Sequence, residues 1–331
     1  MSNVDLVLAP GAKEGGARFI LHSYLKHGIK RGVKYHVFCP FSPDLPKNNS
    51  IEYHFISTKG FCSVFFVLFF SYVLVKKYKA NRILSFMNYN CALGKAKKTT
   101  YFHQSLVFQP FWRRSFKLHL VRFIIKYIDR SDTYIVQTEQ VLKSFKESFS
   151  KTNVEVFWPG FRPCATSREV DSKKENIFKD RFLAVVPISD ARSEYKNISA
   201  VIDLAKRFTS LHVIVTSEMP FSGTPCNVNF IGVQSQDDLY ALYEQCDFCL
   251  FLSSIETLAL PIYEFYSTGK PVVVMNAPYV LESTLYKKRA KNLVVLEEGK
   301  FHIMFEQFLD NYSKFLNDNI DSQLSSGDWG F

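Results

Sequence analysis

The sequence predicts an α/β protein built as two parallel-sheet domains, and three observations carry that expectation. Short apolar runs alternate with helical segments along nearly the whole chain, the pattern of parallel sheets covered on both faces. The chain has 331 residues, 47% of them hydrophobic, which is more than one core usually organises. A polar stretch at 159–178, rich in Pro, Ser, Lys and Glu, divides the alternation in two.

The first half begins with an expected strand at 4–9. The loop Pro10-Gly11-Ala12-Lys13-Glu14-Gly15-Gly16 follows, then a helix at 17–31 with apolar spacing at Phe19, Ile20, Tyr24 and Leu25. A glycine loop that opens a helix lets backbone N–H groups approach an anion, which makes Gly15 and Gly16 candidates. The loop lacks the three spaced glycines of the dinucleotide fingerprint, and a tight turn alone also needs glycine. Strands are expected at 35–39, 51–56, 82–86, 99–104, 133–138 and 154–158, and helices at 61–78, 116–128 and 139–149. His103 closes the strand at 99–104, at the edge where open parallel sheets bind ligands, although a lone histidine is more often structural.

Two features of this half bear on membranes. The apolar run 61–75 is followed by Lys76, Lys77 and Lys79. It falls short of the about twenty residues a span needs, so it reads as a buried helix or one dipping into an interface. Arg113, Arg114 and Lys117, then Arg122, Lys126 and Arg130 at four-residue spacing, make the next helix basic on one side. Such a stripe is a solvated face, or a surface for anionic lipid worth about 1 kcal/mol per basic residue.

In the second half, strands are expected at 182–187, 211–216, 228–231, 248–252 and 272–275, with helices at 198–208, 237–246 and, in the tail, 301–317. The informative stretch is 253–273. Pro261 suits a first helical turn, Gly269 a left-handed stop, and Pro271 blocks continuation. Glu256 falls in the loop past the carboxyl end of a strand, and Glu264 in the first turn of the helix. A helix start there attracts phosphate. Carboxylates bind phosphate poorly but accept well from sugar and ribose hydroxyls. The combination points to a nucleotide-sugar site. The competing reading is an ordinary helix start whose acids favour the dipole.

The net charge of +10 favours a partner that is phosphate, anionic lipid or nucleic acid; no nucleic-acid module is recognisable. Seven cysteines and no secretory signal at the start read as reduced thiols in a cytosolic chain. Cys246 and Cys249 form a Cys-x-x-Cys, but zinc needs a second pair at useful spacing, so both are expected to pack.

The stretch Ser-Ser-Ile-Glu-Thr-Leu-Ala-Leu-Pro-Ile-Tyr-Glu, closed by Gly-Lys-Pro-Val-Val, resembles the Glu-(seven residues)-Glu motif of retaining glycosyltransferases with the GT-B fold, especially glycosyltransferase family 4. The resemblance implies two Rossmann-like domains facing each other: an N-terminal domain at 1–159 on the acceptor side, a donor-binding domain at 160–305, and a terminal helix and tail at 306–331 that packs back on the first. It implies that Glu256 contacts the transferred sugar and Glu264 the ribose, with Thr257, Leu258, Ala259 and Leu260 in the donor-binding loop. Lys196-Asn197 resembles the family's diphosphate-gripping segment. Arg192 stands four before the lysine where five is commoner, and a surface carboxylate is its other natural partner. Gly232-Val233 matches the loop over the nucleotide base, His103 the family histidine at donor sugar or phosphate, and Gly15 and Gly16 the loop opposite the phosphates. Glu282 is a weaker acidic candidate. One departure is Ser217-Glu218-Met219-Pro220, where relatives have a Gly-x-Gly turn.

The activity so implied is transfer of a sugar from a UDP- or GDP-sugar to a hydroxyl of a glycan or lipid-linked acceptor, with retention and without a metal or other cofactor. Polysaccharide, O-antigen or lipopolysaccharide assembly is the expected setting, in the cytoplasm or peripherally on the inner face of the membrane. Alternatives are a GT-B epimerase or phosphorylase and a non-catalytic GT-B-like binding subunit.

Overall fold

The computed structural model describes residues 3–13, 15–109, 115–151, 153–164, 181–218, 223–317 and 320–329. Glu14, Arg113, Arg114, Met219, Pro220 and most of the polar stretch 159–178 lie outside them. The chain forms two compact units, Met1–Gly160 with Ser326–Phe331, and Phe161–Ser325.

Among its described residues the first unit holds seven strands: β1 (Asn3–Leu8), β2 (Val33–Cys39), β3 (Ile51–Phe55), β4 (Arg82–Ser85), β5 (Lys97–Tyr101), β6 (Thr133–Val136) and β7 (Val154–Val156). Their order is β3-β2-β1-β4-β5-β6-β7, and every pair is parallel. Leu6, Leu8, Phe38, Ile83 and Val136 pack one face, beneath Phe66, Val67 and Leu74 of the helical run 61–78 and Phe145 of helix Glu139–Phe149. Val7, Val37, Leu84 and Ile135 pack the other, with Leu21 and Leu25. Alternate residues of each strand thus face opposite layers, as the period of two requires.

The second unit holds β8 (Phe182–Val186), β9 (Leu211–Val215), β10 (Val228–Phe230), β11 (Phe248–Phe251), β12 (Val272–Met275) and β13 (Leu293–Leu296). Their order is β10-β9-β8-β11-β12-β13, again all parallel. In each sheet the first strand lies in the middle, so the chain reverses its direction of advance beside it: between β1 and β4, and between β8 and β11. Loops leave a sheet in opposite directions at that point and open a crevice beyond the carboxyl ends.

Three expectations change. The terminal helix, Phe301–Asp310, belongs to the second unit, because Phe305 and Phe308 close its core against Phe248 at ring-centroid distances of 6.0 and 5.0 Å. Only Ser326–Phe331 joins the first unit, not the whole segment 306–331. There the Trp329 indole donates to Ser23 Oγ at 3.0 Å and packs on Tyr24 and Tyr101. The basic stripe on helix 116–128 is thinner than the spacing suggests. Arg122 turns inward, donates to the Val107 carbonyl at 2.6 Å and lies 5.3 Å over the Phe149 ring, leaving Lys126 exposed on the helix and Arg130 beyond its end. And β5 ends at Tyr101, so His103 follows the strand rather than closing it.

Candidate functional site

In the second unit the reversal point between β8 and β11 is bridged by charge. After β8 the chain makes a short turn, Glu194–Lys196, and Asn197 takes a left-handed conformation (φ 57°) before helix Ile198–Arg207. After β11 comes the loop carrying Glu256. Lys196 Nζ donates to Glu256 Oε1 at 2.6 Å, with the two side chains 15% and 17% exposed. The loops are also joined through backbone: Ser254 N–H donates to the Tyr195 carbonyl at 2.8 Å. Tyr195 and Phe251 rings flank the ammonium at 5.5 and 5.8 Å. Two residues 60 positions apart thus form one charged pair on the ligand edge of a parallel sheet.

Glu264 has different surroundings. Helix Leu260–Tyr266 starts with Pro261 in its first turn, as the sequence suggests, but Glu264 is its fifth residue and stands beyond that turn. The side chain is 5% exposed. It accepts from Gln236 Nε2 at 3.2 Å, a residue that opens helix Gln236–Gln245. Burial pushes its carboxyl up to about 7, against opposing pulls from the Gln236 hydrogen bond, Arg162 and Tyr240. A carboxyl in that state accepts or donates according to small changes in its partners.

The motif's closing residues hold the fold. Gly269 is left-handed (φ 80°), and a Cβ there would stand 2.6 Å from the Asn317 carbonyl oxygen. Lys270 Nζ donates to the Tyr243, Glu244 and Cys246 carbonyls at 3.2, 2.6 and 2.7 Å, closing the end of helix Gln236–Gln245. This is favourable because the carboxyl end of a helix presents unpaired carbonyls and negative charge. Between the two glutamates, Ala259 sits in the left-handed region (φ 52°, ψ 51°) and is buried, a strained place for a residue with a Cβ. Thr257, Leu258 and Leu260 are half-buried around it.

The other candidates distribute as follows. Arg192 is exposed; its backbone N–H donates to Asp190 Oδ1 at 3.1 Å, and its side chain forms no ion pair among the described residues. Gly232 (φ 74°) donates to the Ser217 carbonyl at 3.2 Å, and a Cβ there would meet Glu218 Oε1 at 3.1 Å. The departure Ser217-Glu218 therefore lies directly against the base-loop glycine, on the same sheet edge. Glu282 pairs with Lys287 at 2.6 Å at the surface. Cys246 and Cys249 are fully buried, and burial pushes the Cys246 thiol up to about 12. A hollow of about 460 Å³ on this edge is lined by Asn197, Met275, Glu298 and Lys300 among others; Glu256 and Glu264 are not among its described lining residues.

In the first unit, Gly15 (φ 59°) and Gly16 open helix Gly15–Ser23 after β1, with open space where a Gly15 Cβ would stand. His103 is half-buried beyond β5, its backbone N–H donating to Asn88 Oδ1 at 2.7 Å; burial holds its imidazole down to about 4, so it is neutral at pH 7. Gln236, Tyr195 and Tyr279, whose hydroxyl donates to the Ser253 carbonyl at 2.9 Å, escaped sequence reading because each meets the motif only through tertiary contact.

Comparison with known proteins agrees with this architecture. Residues 221–298 match the family model described as Glycosyl transferases group 1. Similar solved structures include WaaG, a glycosyltransferase involved in lipopolysaccharide biosynthesis, at TM-score 0.71 and 15% identity, covering 95% of this chain and 92% of that one. Sucrose-phosphate synthase from Thermosynechococcus elongatus matches at TM-score 0.67 and 12% identity, covering 96% and 92%. Anabaena Alr3699/HepE in complex with UDP-glucose matches at TM-score 0.66 and 14% identity, covering 95% and 92%. No curated protein matches the chain. The fold is that of GT-B glycosyltransferases. Within it, the segment that matches the group 1 model contains both glutamates, Lys270 and Gly232.

Proposed function

We propose that this protein is a retaining glycosyltransferase that moves a sugar from a nucleoside diphosphate sugar to a hydroxyl of a glycan or lipid-linked acceptor. The observation that carries the reading is the Lys196–Glu256 pair at the reversal point of the second sheet. A donor diphosphate would compete with Glu256 for the ammonium. Lys196 would then face the departing charge, and the released carboxylate would accept hydroxyls of the transferred sugar. Fixed charge placed at a leaving group commonly does more than any other single effect to lower such a barrier. The bond from the anomeric carbon to the diphosphate oxygen breaks, the bond to the acceptor oxygen forms on the same face, and a donor phosphate oxygen takes the acceptor proton. Glu264, with Gln236, would hold the ribose, Gly232 would pass beneath the base, and the exposed Arg192 would reach toward the phosphates. No metal is required for these steps, so a chelator should leave turnover intact well below the melting temperature; loss of turnover would refute the metal-free mechanism.

The donor is testable by thermal shift with UDP-, GDP- and ADP-sugars, because a ligand of the native state stabilises it by mass action. UDP-glucose is the first probe, since the Anabaena relative is described in complex with it. One donor should raise the melting temperature of the wild type and fail to do so for Lys196→Ala; no response to any sugar nucleotide would overturn the reading.

The acceptor side favours peripheral contact with an anionic membrane, consistent with lipid-linked glycan, O-antigen or lipopolysaccharide assembly on a cytoplasmic face. The helical run Phe61–Tyr78 is long and apolar enough to span, yet one side of it is core. Its other side exposes Phe61 (69%), Phe65 (62%) and Val73 (53%). Phe116, 74% exposed on the neighbouring helix, continues the patch, its ring 6.4 Å from that of Phe61. Exposed Lys76, Lys77, Lys117 and Lys126 belong to the same two segments, and exposed Lys59 just precedes the first. Aromatic side chains with adjacent cations suit a headgroup boundary. Liposome flotation should recover the protein with anionic but not neutral vesicles; equal recovery with both would sink the electrostatic account.

A further inference from the structure

Away from the ligand edge, β2 and β3 bring three metal-ligating side chains together. In their parallel register His36 is the partner of Glu52, and His54 lies two residues further along β3. Residues two apart on a strand share a face, so all three side chains stand on one side of the sheet. His36 Nδ1 and His54 Nε2 are 3.0 Å apart. One Glu52 oxygen is 3.7 Å from His36 Nδ1, and the other is 3.5 Å from His54 Nε2. Two ligands bonded at about 2.05 Å to a tetrahedral zinc ion stand about 3.3 Å apart. The two nitrogens stand slightly closer than that, and each faces its own oxygen of Glu52 at slightly more, so a small turn of the carboxylate brings one oxygen within ligand distance of both. The rings are held: Tyr78 packs on His36 at 3.9 Å, and Phe38 stacks on His54 at 4.5 Å and 18°. The direction of two imidazoles toward one carboxylate is therefore set by packing before any ion arrives.

We propose that His36, Glu52 and His54 form a binding site for a divalent cation of the zinc type, which clips the edge strand β3 to β2. Two imidazoles and a carboxylate suit borderline metals such as Zn²⁺ and Co²⁺ rather than Ca²⁺ or Mg²⁺, which prefer oxygen ligands. The site lies in mid-strand, away from the carboxyl edge, so its role is structural. Among the described residues β3 pairs with β2 alone and is the outermost strand of its sheet, where one row of backbone N–H and C=O groups has no partner strand. Lys34, whose Nζ is 2.9 Å from Glu52 and half-exposed, occupies the carboxylate in the metal's place and can swing away.

Titration of the full chain with Co²⁺ alone tests this independently of any transferase activity. The wild type should bind one equivalent with the visible absorption of a four-coordinate ion, and Zn²⁺ should displace it. Hydrogen exchange should slow in residues 51–55. His54→Asn and Glu52→Gln, chosen because these side chains are less buried than His36, should each weaken binding by at least about 100-fold, beyond the effect of losing an outer-shell partner. Lys34→Gln should tighten it several-fold. Absence of binding by the wild type, or binding by His54→Asn or Glu52→Gln as tight as the wild type's, would overturn the proposal.

Discussion

Glu256 and Glu264 stand eight positions apart in one motif, yet they occupy opposite electrostatic environments. Glu256 shares a hydrogen-bonded pair with an ammonium at the mouth of the crevice between β8 and β11. Glu264 is buried against an amide and has no cation within ion-pair distance among the described residues. A carboxylate facing an ammonium has a charge partner to share with a ligand. A desolvated one is pushed toward neutrality. Sequence spacing fixes where two acids sit along a loop and helix, while the partners from distant segments fix what each can do.

The most severe break of this contrast is Lys196→Ala. It removes the cation assigned to the diphosphate and strands Glu256; turnover should fall by roughly 100- to 1,000-fold, as for other lost electrostatic stabilisers. Steady-state kinetics with the stabilising donor would measure it, and an unchanged rate would remove Lys196 from the site.

Glu264→Gln tests the other environment. The folded carboxyl at about 7 lies above its ordinary 4.5, so the folded chain holds that proton more tightly than the unfolded chain. The stabilisation is complete below about 4.5 and is lost as pH rises through about 7. At about 1.4 kcal/mol per pKa unit the loss is on the order of 3 kcal/mol. The glutamine variant should lack this pH dependence and, in denaturant melts, gain on the wild type between pH 5 and pH 8, while binding donor less well. Parallel stability curves would contradict the buried-acid description.

Two smaller effects sharpen the scaffold between and behind the acids. Gly269→Ala places a methyl against the Asn317 carbonyl in a left-handed conformation, and should cost roughly 1–3 kcal/mol. Ala259→Gly relieves a left-handed residue with a Cβ and should stabilise by up to about 1 kcal/mol. Both are readable from thermal melts.

The architecture was legible because two-sided parallel sheets write themselves as short apolar runs between helical ones. β13 (Leu293–Leu296) escaped that reading because four apolar residues between charged neighbours give little period to detect. Pro261 and Gly269 announced their helix correctly, since each acts through its own backbone. The inward turn of Arg122, the burial of Glu264 and the pairing of Lys196 with Glu256 were not legible in the same way. Each depends on a residue 15 to 60 positions away. Lys270 belongs to the motif's Gly-Lys-Pro string, and its hold on three helix carbonyls likewise needs residues from a distant segment. The His36–Glu52–His54 cluster needs the β2–β3 register, which no single segment encodes.

Calorimetric titration of the wild type and Lys196→Ala with the nucleoside diphosphate of the stabilising donor, and with its parent nucleoside, tests whether Lys196 holds the donor diphosphate. The wild type should prefer the diphosphate strongly, and the variant should bind diphosphate and nucleoside almost alike. A variant that keeps the full preference for diphosphate would contradict the assignment of Lys196 as the cation of the donor site.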